Sequence, residues 1–121
     1  MRTMDVRMGS VVIDCADPPS LAGFWAAVTG YEPRAADAGD DTWRMLLGPG
    51  GQPNIGFQKV PEAKQVKNRV HIDLYTVDEE AAAARIEALG ATRLYVSDDP
   101  DDIFVTLADP EGNEFCVCRQ S

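Results

Sequence analysis

The strongest constraint on the fold is that the chain repeats itself. One pattern begins Ser10-Val-Val-Ile-Asp-Cys-Ala-Asp17 and runs on through an apolar-periodic stretch to Gly30. A second begins His71-Ile-Asp-Leu-Tyr-Thr-Val-Asp78 and runs on through a similar stretch to Gly90. The interval from Ser10 to Asp17 equals that from His71 to Asp78, and the stretches that follow differ in length by one residue. In a chain of 121 residues such a repeat describes two copies of one supersecondary unit.

Each copy opens as a strand. Val11, Ile13 and Cys15 alternate with Ser10, Val12 and Asp14; Val70, Ile72 and Leu74 alternate with His71, Asp73 and Tyr75. Period-two alternation puts one set on a core and the other on the opposite face. Val70, Ile72 and Leu74 are therefore expected against the helices, with the intervening side chains pointing away.

Each copy continues as a helix, over about Pro18–Thr29 and about Asp78–Leu89. Asp17 and Asp78 are placed to cap these helices, and Pro18 suits a first position where no amide hydrogen is needed. Leu21, Phe24, Trp25 and Val28 fall on one face at i, i+3, i+4 and i+7. In the second helix the expected stripe is Ala82, Ile86 and Leu89, with Glu79 and Glu80 at the positive end of the dipole. Gly30 and Gly90 end the two helices.

Three turn-separated strands then follow in each copy. The expected segments are about Arg34–Ala35, Trp43–Leu47 and Asn54–Val60, then about Arg93–Val96, Ile103–Ala108 and Glu114–Arg119. The reading is one α+β domain of two tandem βαβββ modules. Module one spans about 8–60, a linker 61–68, and module two about 69–119.

Composition narrows the function classes. With 45% apolar and 26% charged residues, a chain this long can bury a core without a disulfide or structural metal. The net charge of −9 repels phosphate backbones and anionic lipid, so neither nucleic acid nor membrane is an expected partner. The acidic runs Asp37, Asp40, Asp41 and Asp98, Asp99, Asp101, Asp102 read as solvated loops. No signal-peptide pattern follows Met1, no run is long enough to span a membrane, and three cysteines are an odd number. A reducing cytoplasm is the expected compartment.

Four motifs in order give the chain a family likeness. Asp17-Pro-(x)5-Phe24-Trp25-(x)4-Gly30-Tyr31 and Lys67-Asn-Arg-Val-His-Ile-Asp-Leu74 resemble the starts of the two modules of glyoxalase-like proteins. Ile86-Glu-Ala-Leu-Gly-Ala91 resembles their second helix end, and Asp109-Pro-Glu-Gly-Asn-Glu-Phe115 resembles their final turn and strand. The chain resembles the vicinal-oxygen-chelate superfamily of glyoxalases, bleomycin resistance proteins and dioxygenases from about Ser10 to Val117. The resemblance implies two half-barrels around one cavity, a small-molecule site there, and often a dimer. It also implies a divalent metal held by one side chain on the first strand and one on the last strand of each module.

Matched position by position, this sequence departs from that ligand set. Module one has Ser10 on its first strand, and its last-strand position falls on Gly56 or Gln58. Module two has His71, which agrees, but Cys116 where a glutamate is usual. Hard divalent ions need several oxygen or imidazole ligands. No cofactor is therefore expected, with a divalent metal through His71 left open.

The remaining candidates follow from chemistry. His71, the only histidine, and Asp73 are the candidate acid–base pair. Asp14 is a carboxylate among apolar neighbours, where partial burial is expected; it either serves as an acid or base with a raised pKa or, the favoured reading, takes backbone or Arg69 hydrogen bonds and holds the modules together. Trp43 can line a ligand cavity. Arg69, with Lys59, Lys64 and Lys67, can hold an anionic ligand or pair with nearby acids. Cys116 and Cys118 flank Val117 on one face and with His71 offer zinc ligands, but without Cys-x-x-Cys spacing. The ligand-binding set is thus Ser10, Asp14, Trp43, Gln58, Arg69, Tyr75 and Cys116. The expectation is a homodimer that binds a small organic molecule without the usual metal. The alternative is an isomerase or lyase of the same fold using His71 and Asp73, or a residual metal.

Overall fold

Two aspartates start the two helices. Asp17 Oδ1 accepts from the Ser20 amide at 3.2 Å and Asp78 Oδ1 from the Ala81 amide at 3.1 Å, each satisfying one of the donors a helix start leaves unpaired. The computed structural model describes residues 4–120. The elements run β1 (Ser10–Cys15), α1 (Pro18–Thr29), β2 (Glu32–Pro33), β3 (Trp43–Leu47), β4 (Asn54–Lys59), β5 (Ile72–Thr76), α2 (Glu79–Ala88), β6 (Thr92–Val96), β7 (Phe104–Ala108) and β8 (Glu114–Arg119). They form two compact units, Met1–Glu62 and Ala63–Ser121.

Both units are built to one plan. In the first, the sheet order is β1-β4-β3-β2, with β1 parallel to β4 and the other neighbours antiparallel. In the second it is β5-β8-β7-β6 with the same senses. The helix after the first strand carries the chain across, and three strands return as a meander. The fold class is α+β, a βαβββ unit written twice.

The helix faces follow the chemistry of their residues. In α1, Leu21, Phe24 and Trp25 are buried against β3 and β4. Gly30, at φ 75°, ends the helix in the left-handed region, with its amide on the Ala26 carbonyl. In α2 the buried face is Glu79, Ala83 and Ile86, and Leu89 is exposed. The expected Ala82–Ile86–Leu89 stripe is thus replaced by one that starts three residues earlier and shares only Ile86, because Glu79 turns inward. Arg119 Nε meets Glu79 Oε1 at 2.6 Å and Arg119 Nη2 meets Oε2 at 3.0 Å, so the inward carboxylate is paired.

Three further expectations are corrected. The strand expected at Arg34–Ala35 lies earlier, at Glu32–Pro33, and Ala35–Asp37 is a 3-10 turn. Arg34 causes the turn by binding back: its Nε and Nη2 reach the two carboxylate oxygens of Asp37 at 3.1 and 2.9 Å. For the same reason Asp37 is buried rather than part of a solvated run. Val70 does not pack against a helix; it is 76% exposed, because β5 begins only at Ile72 and the chain bends before it.

The linker is held to the second unit. Lys64 pairs with Glu114 at 3.1 Å, and the Asn68 amide donates to Glu114 Oε2 at 3.1 Å. Burial pushes the Glu114 carboxyl up, but the Asn68 amide and Lys64 outweigh it and hold it below the usual range. Glu79 is likewise lowered, first by the Arg119 hydrogen bonds. Both carboxylates are therefore lower in the folded state, so their contribution is complete above about pH 5 and is lost as pH falls through their folded values. The melting temperature should drop on acidification below that point. Glu79→Gln should be less stable at pH 7 and show a shallower acid slope in scanning calorimetry; an unchanged slope would show that the pair does not set it.

Candidate functional site

In the second unit, strand pairing assembles a polar row. Asp73 on β5 is the register partner of Cys116 on β8, which is the partner of Thr106 on β7. Thr106 Oγ1 and Cys116 Sγ lie 3.3 Å apart. His71, two residues before Asp73, shares its face, and His71 Nε2 is 3.1 Å from Asp73 Oδ1. Ile72 and Leu74 between them are half-buried while His71, Asp73 and Tyr75 are exposed, as period two requires. One donor atom from each of His71, Asp73 and Cys116 lies within 4.8 Å of the others.

The next row is Tyr75, Cys118 and Phe104. Tyr75 is 70% exposed, and Phe104 packs on Tyr95 with ring centroids 5.9 Å apart. The Cys118 thiol is pushed up to about 11, first by burial and then by the charges of Asp73, Cys116 and Asp102. It is protonated at neutral pH and no nucleophile.

In the first unit the matching rows are Val12–Gly56–Met45 and Asp14–Gln58–Trp43. Ser10 occupies the place of His71, so Val12 stands for Asp73 and Gly56 for Cys116. Register thus decides between Gly56 and Gln58, which the sequence leaves open. A Cβ at Gly56 would lie 2.9 Å from Trp43 Cη2 and 3.3 Å from Val12 Cγ2. The missing side chain is what lets the indole lie against the strand. Asp14 and Gln58 are exposed neighbours in the adjacent row, so the expected partial burial of Asp14 does not occur.

The expected residues are thus gathered in two groups: His71, Asp73 and Cys116, with Tyr75 in the next row; and Asp14, Gln58 and Trp43, with Ser10 at the strand's start. Arg69 is exposed before β5 and forms no hydrogen bond or ion pair among the described residues. Lys64 is committed to Glu114 and to the Val66 carbonyl. Sequence reasoning missed Thr106, whose signal was its alternation with Val105 and Leu107. It also missed a pocket of about 150 Å3 lined by Ala22, Ala26, Pro33, Arg34, Arg44 and Leu46.

Residues 10–118 match the model of the glyoxalase-like domain, and the chain belongs to that family. No curated protein matches the sequence. Solved structures share the fold. A glyoxalase/bleomycin resistance protein/dioxygenase family enzyme from Burkholderia phytofirmans PsJN superposes with a TM-score of 0.74 at 20% identity, over 92% of this chain and 96% of that one. Lactoylglutathione lyase from Agrobacterium tumefaciens gives 0.67 at 16% identity, over 97% and 95%. TioX from Micromonospora sp. ML1 gives 0.67 at 18%, over 96% and 100%.

The resemblance implies a hard divalent ion, and the residues present do not fit one. Gly56 offers no donor and Trp43 fills the space where its side chain would stand. Ser10 and Cys116 replace the other expected imidazole and carboxylate. The four positions that the resemblance assigns thus hold one imidazole and no carboxylate.

No helix among the described residues is long and apolar enough to cross a membrane.

Proposed function

We propose that the protein binds a small organic molecule, in the cavity the family resemblance implies, without the family's usual divalent metal. The observation that carries this reading is the row of His71, Asp73, Tyr75 and Cys116. His71, Asp73 and Tyr75 are exposed, Tyr75 to 70%, and Cys116 is half-buried opposite Asp73. An aromatic face beside a few fixed polar groups is the usual make-up of a small-molecule site. Within module one, Asp14, Gln58 and Trp43 form a row of similar make-up. The 3.1 Å contact with Asp73 holds the imidazole in place, which supports a role for His71 in meeting a ligand oxygen. The same contact supports the second reading, an isomerase or lyase with this pair as acid and base.

Native mass spectrometry of the purified protein tests the reading by detecting a co-purified compound, which is then titrated back. His71→Ala should weaken binding of that compound about tenfold or more, as expected when a buried ligand group loses its hydrogen-bond partner. Its stability should move by less than about 0.5 kcal/mol, because the side chain is 56% exposed. A large stability loss with affinity unchanged would make His71 a structural residue. Turnover of the bound compound would promote the second reading.

A homodimer belongs to the same proposal. Leu94, Tyr95 and Val96 are consecutive exposed residues on the edge strand β6, an arrangement proteins usually cover. Light scattering at micromolar concentration should give twice the chain mass; a clean monomer would contradict it.

A further inference from the structure

The pocket of about 150 Å3 in module one lies between α1 and strands β2 and β3, where Ala22, Ala26, Pro33, Arg34, Arg44 and Leu46 line it. The residues of α1 explain the opening. Its large side chains Leu21, Phe24 and Trp25 are buried in the core, and the part of the helix that borders the pocket carries only small ones. Ala22 and Leu46 are buried and give an apolar floor, while Pro33 and Arg34 are exposed at the rim, so the pocket opens to solvent. Arg44 precedes Leu46 by two residues on β3, so both lie on the helix face of the sheet, opposite Trp43. The pocket is therefore separate from the row of Asp14, Gln58 and Trp43.

The charged groups around it are committed unequally. Arg34 holds Asp37 through Nε and Nη2. Asp40 Oδ1 accepts from the Thr42 amide at 2.8 Å and from the Thr42 hydroxyl at 2.7 Å. Arg44 donates through Nε alone, to the Asp40 carbonyl at 2.9 Å. The N–H groups on its two terminal nitrogens have no hydrogen-bond partner among the described residues. Anchored at Nε, the guanidinium presents those nitrogens as a fork, and that planar fork matches a carboxylate.

We propose that this pocket binds a small monocarboxylate whose apolar body is about the size of a benzene ring, with its carboxylate on the terminal nitrogens of Arg44. Volume sets the body, since an apolar cavity of about 150 Å3 holds one benzene, whereas drug-sized ligands occupy about 300 Å3 or more. Charge sets the head group. One uncommitted guanidinium in the lining suits a single negative charge rather than a phosphate dianion. The inference does not rest on the ligand-binding reading given above, which concerns other residues.

Sodium benzoate is the probe, with benzyl alcohol as a neutral molecule of like size. Titration of the full-length protein, followed by amide proton–nitrogen NMR, should give saturable shifts at Ala22, Ala26, Arg44 and Leu46 and none from Ile72 to Tyr75. Benzoate should bind more tightly than benzyl alcohol. Arg44→Gln should weaken benzoate by about tenfold or more, as loss of a charge-assisted pair does, and should leave benzyl alcohol unchanged. Ala26→Leu puts a side chain into the pocket and should abolish binding of both. Melting curves confirm that each variant is folded; should Ala26→Leu fail, Arg44→Gln and the neutral probe still decide. Shifts confined to β5, benzoate bound no more tightly than benzyl alcohol, no saturation at millimolar benzoate, or parental benzoate affinity in Arg44→Gln would each overturn the proposal.

Discussion

Trp25→Ala should destabilise the protein by about 3–5 kcal/mol, the usual cost of emptying a large aromatic site in a core. For a chain of this size that is a fall of roughly 10–20 °C in melting temperature. Trp25 is 1% exposed, and its ring meets Phe24 edge-on, with centroids 5.5 Å apart and planes at 87°. It sits on the buried face of α1, which packs against β3 and β4, where Leu46, Ile55 and Phe57 complete the core. No small rearrangement refills that volume, since its neighbours are held by the sheet and by the helix itself. Val28→Ala, on the same helix at a half-buried position, should cost about 1 kcal/mol. Urea denaturation of both variants checks the ordering. A Trp25→Ala loss below that of Val28→Ala would mean that α1 is not the keystone of the first unit.

The bounds of α1 were legible because local chemistry fixes them. Asp17 caps, Pro18 enters without an amide hydrogen and Gly30 leaves through a positive φ. None of these depends on the rest of the fold. The expected bounds Pro18–Thr29, and those of β3 and β8, are the observed ones. The face of α2 was harder. Ala81 to Ala84 are four alanines in a row, so apolar spacing carries little phase information. The decisive inward residue is a glutamate whose partner, Arg119, lies forty positions away. A buried charge is invisible to a pattern of apolar residues. Strand β2 was misplaced for a similar reason, since the Arg34–Asp37 pair that bends the chain is a side-chain event.

The candidate site divides along the same line. Period two along one strand places His71, Asp73 and Tyr75 on a common face, and the sequence alone supplies that. Which residue of β8 stands opposite Asp73 depends on the register of a parallel pair whose strands are far apart in sequence. Alternation alone puts Cys116 and Cys118 on one face, and only the family resemblance singled out Cys116. Pairing singles out Cys116 with Asp73 and puts Cys118 with Tyr75. The Gly56 position, with Trp43 laid against it, is likewise a product of pairing across β1, β4 and β3.

The Asp109-Pro-Glu-Gly-Asn turn is one of the four motifs that carry the family likeness, and its geometry gives it structural work. Asp109 is buried, and its Oδ1 accepts from the amides of Glu111 at 2.9 Å and Asn113 at 3.0 Å. Both carboxylate oxygens also receive the Asn113 side-chain amide, at 3.0 and 2.9 Å. The Asp109 amide donates to the Asn113 carbonyl at 2.8 Å, closing the loop, and Gly112 takes the φ of 91° that the tight return requires. One carboxylate thus gathers several donors at the entry to β8, the strand that carries Cys116. Asp109→Ala should leave those donors unpaired and cost about 2–3 kcal/mol, in the range for hydrogen bonds to a charged group. Asp109→Asn keeps an acceptor for the backbone amides but sets one amide group against that of Asn113, so its loss should be smaller. Chemical denaturation gives the ranking. Amide hydrogen exchange should report faster exchange at Glu111 and Asn113 in the alanine variant, with the first unit unaffected. If Asp109→Ala instead melts with the parent protein, the turn is held by Gly112 and the β7–β8 ladder alone, and the carboxylate becomes free to be read as a functional group.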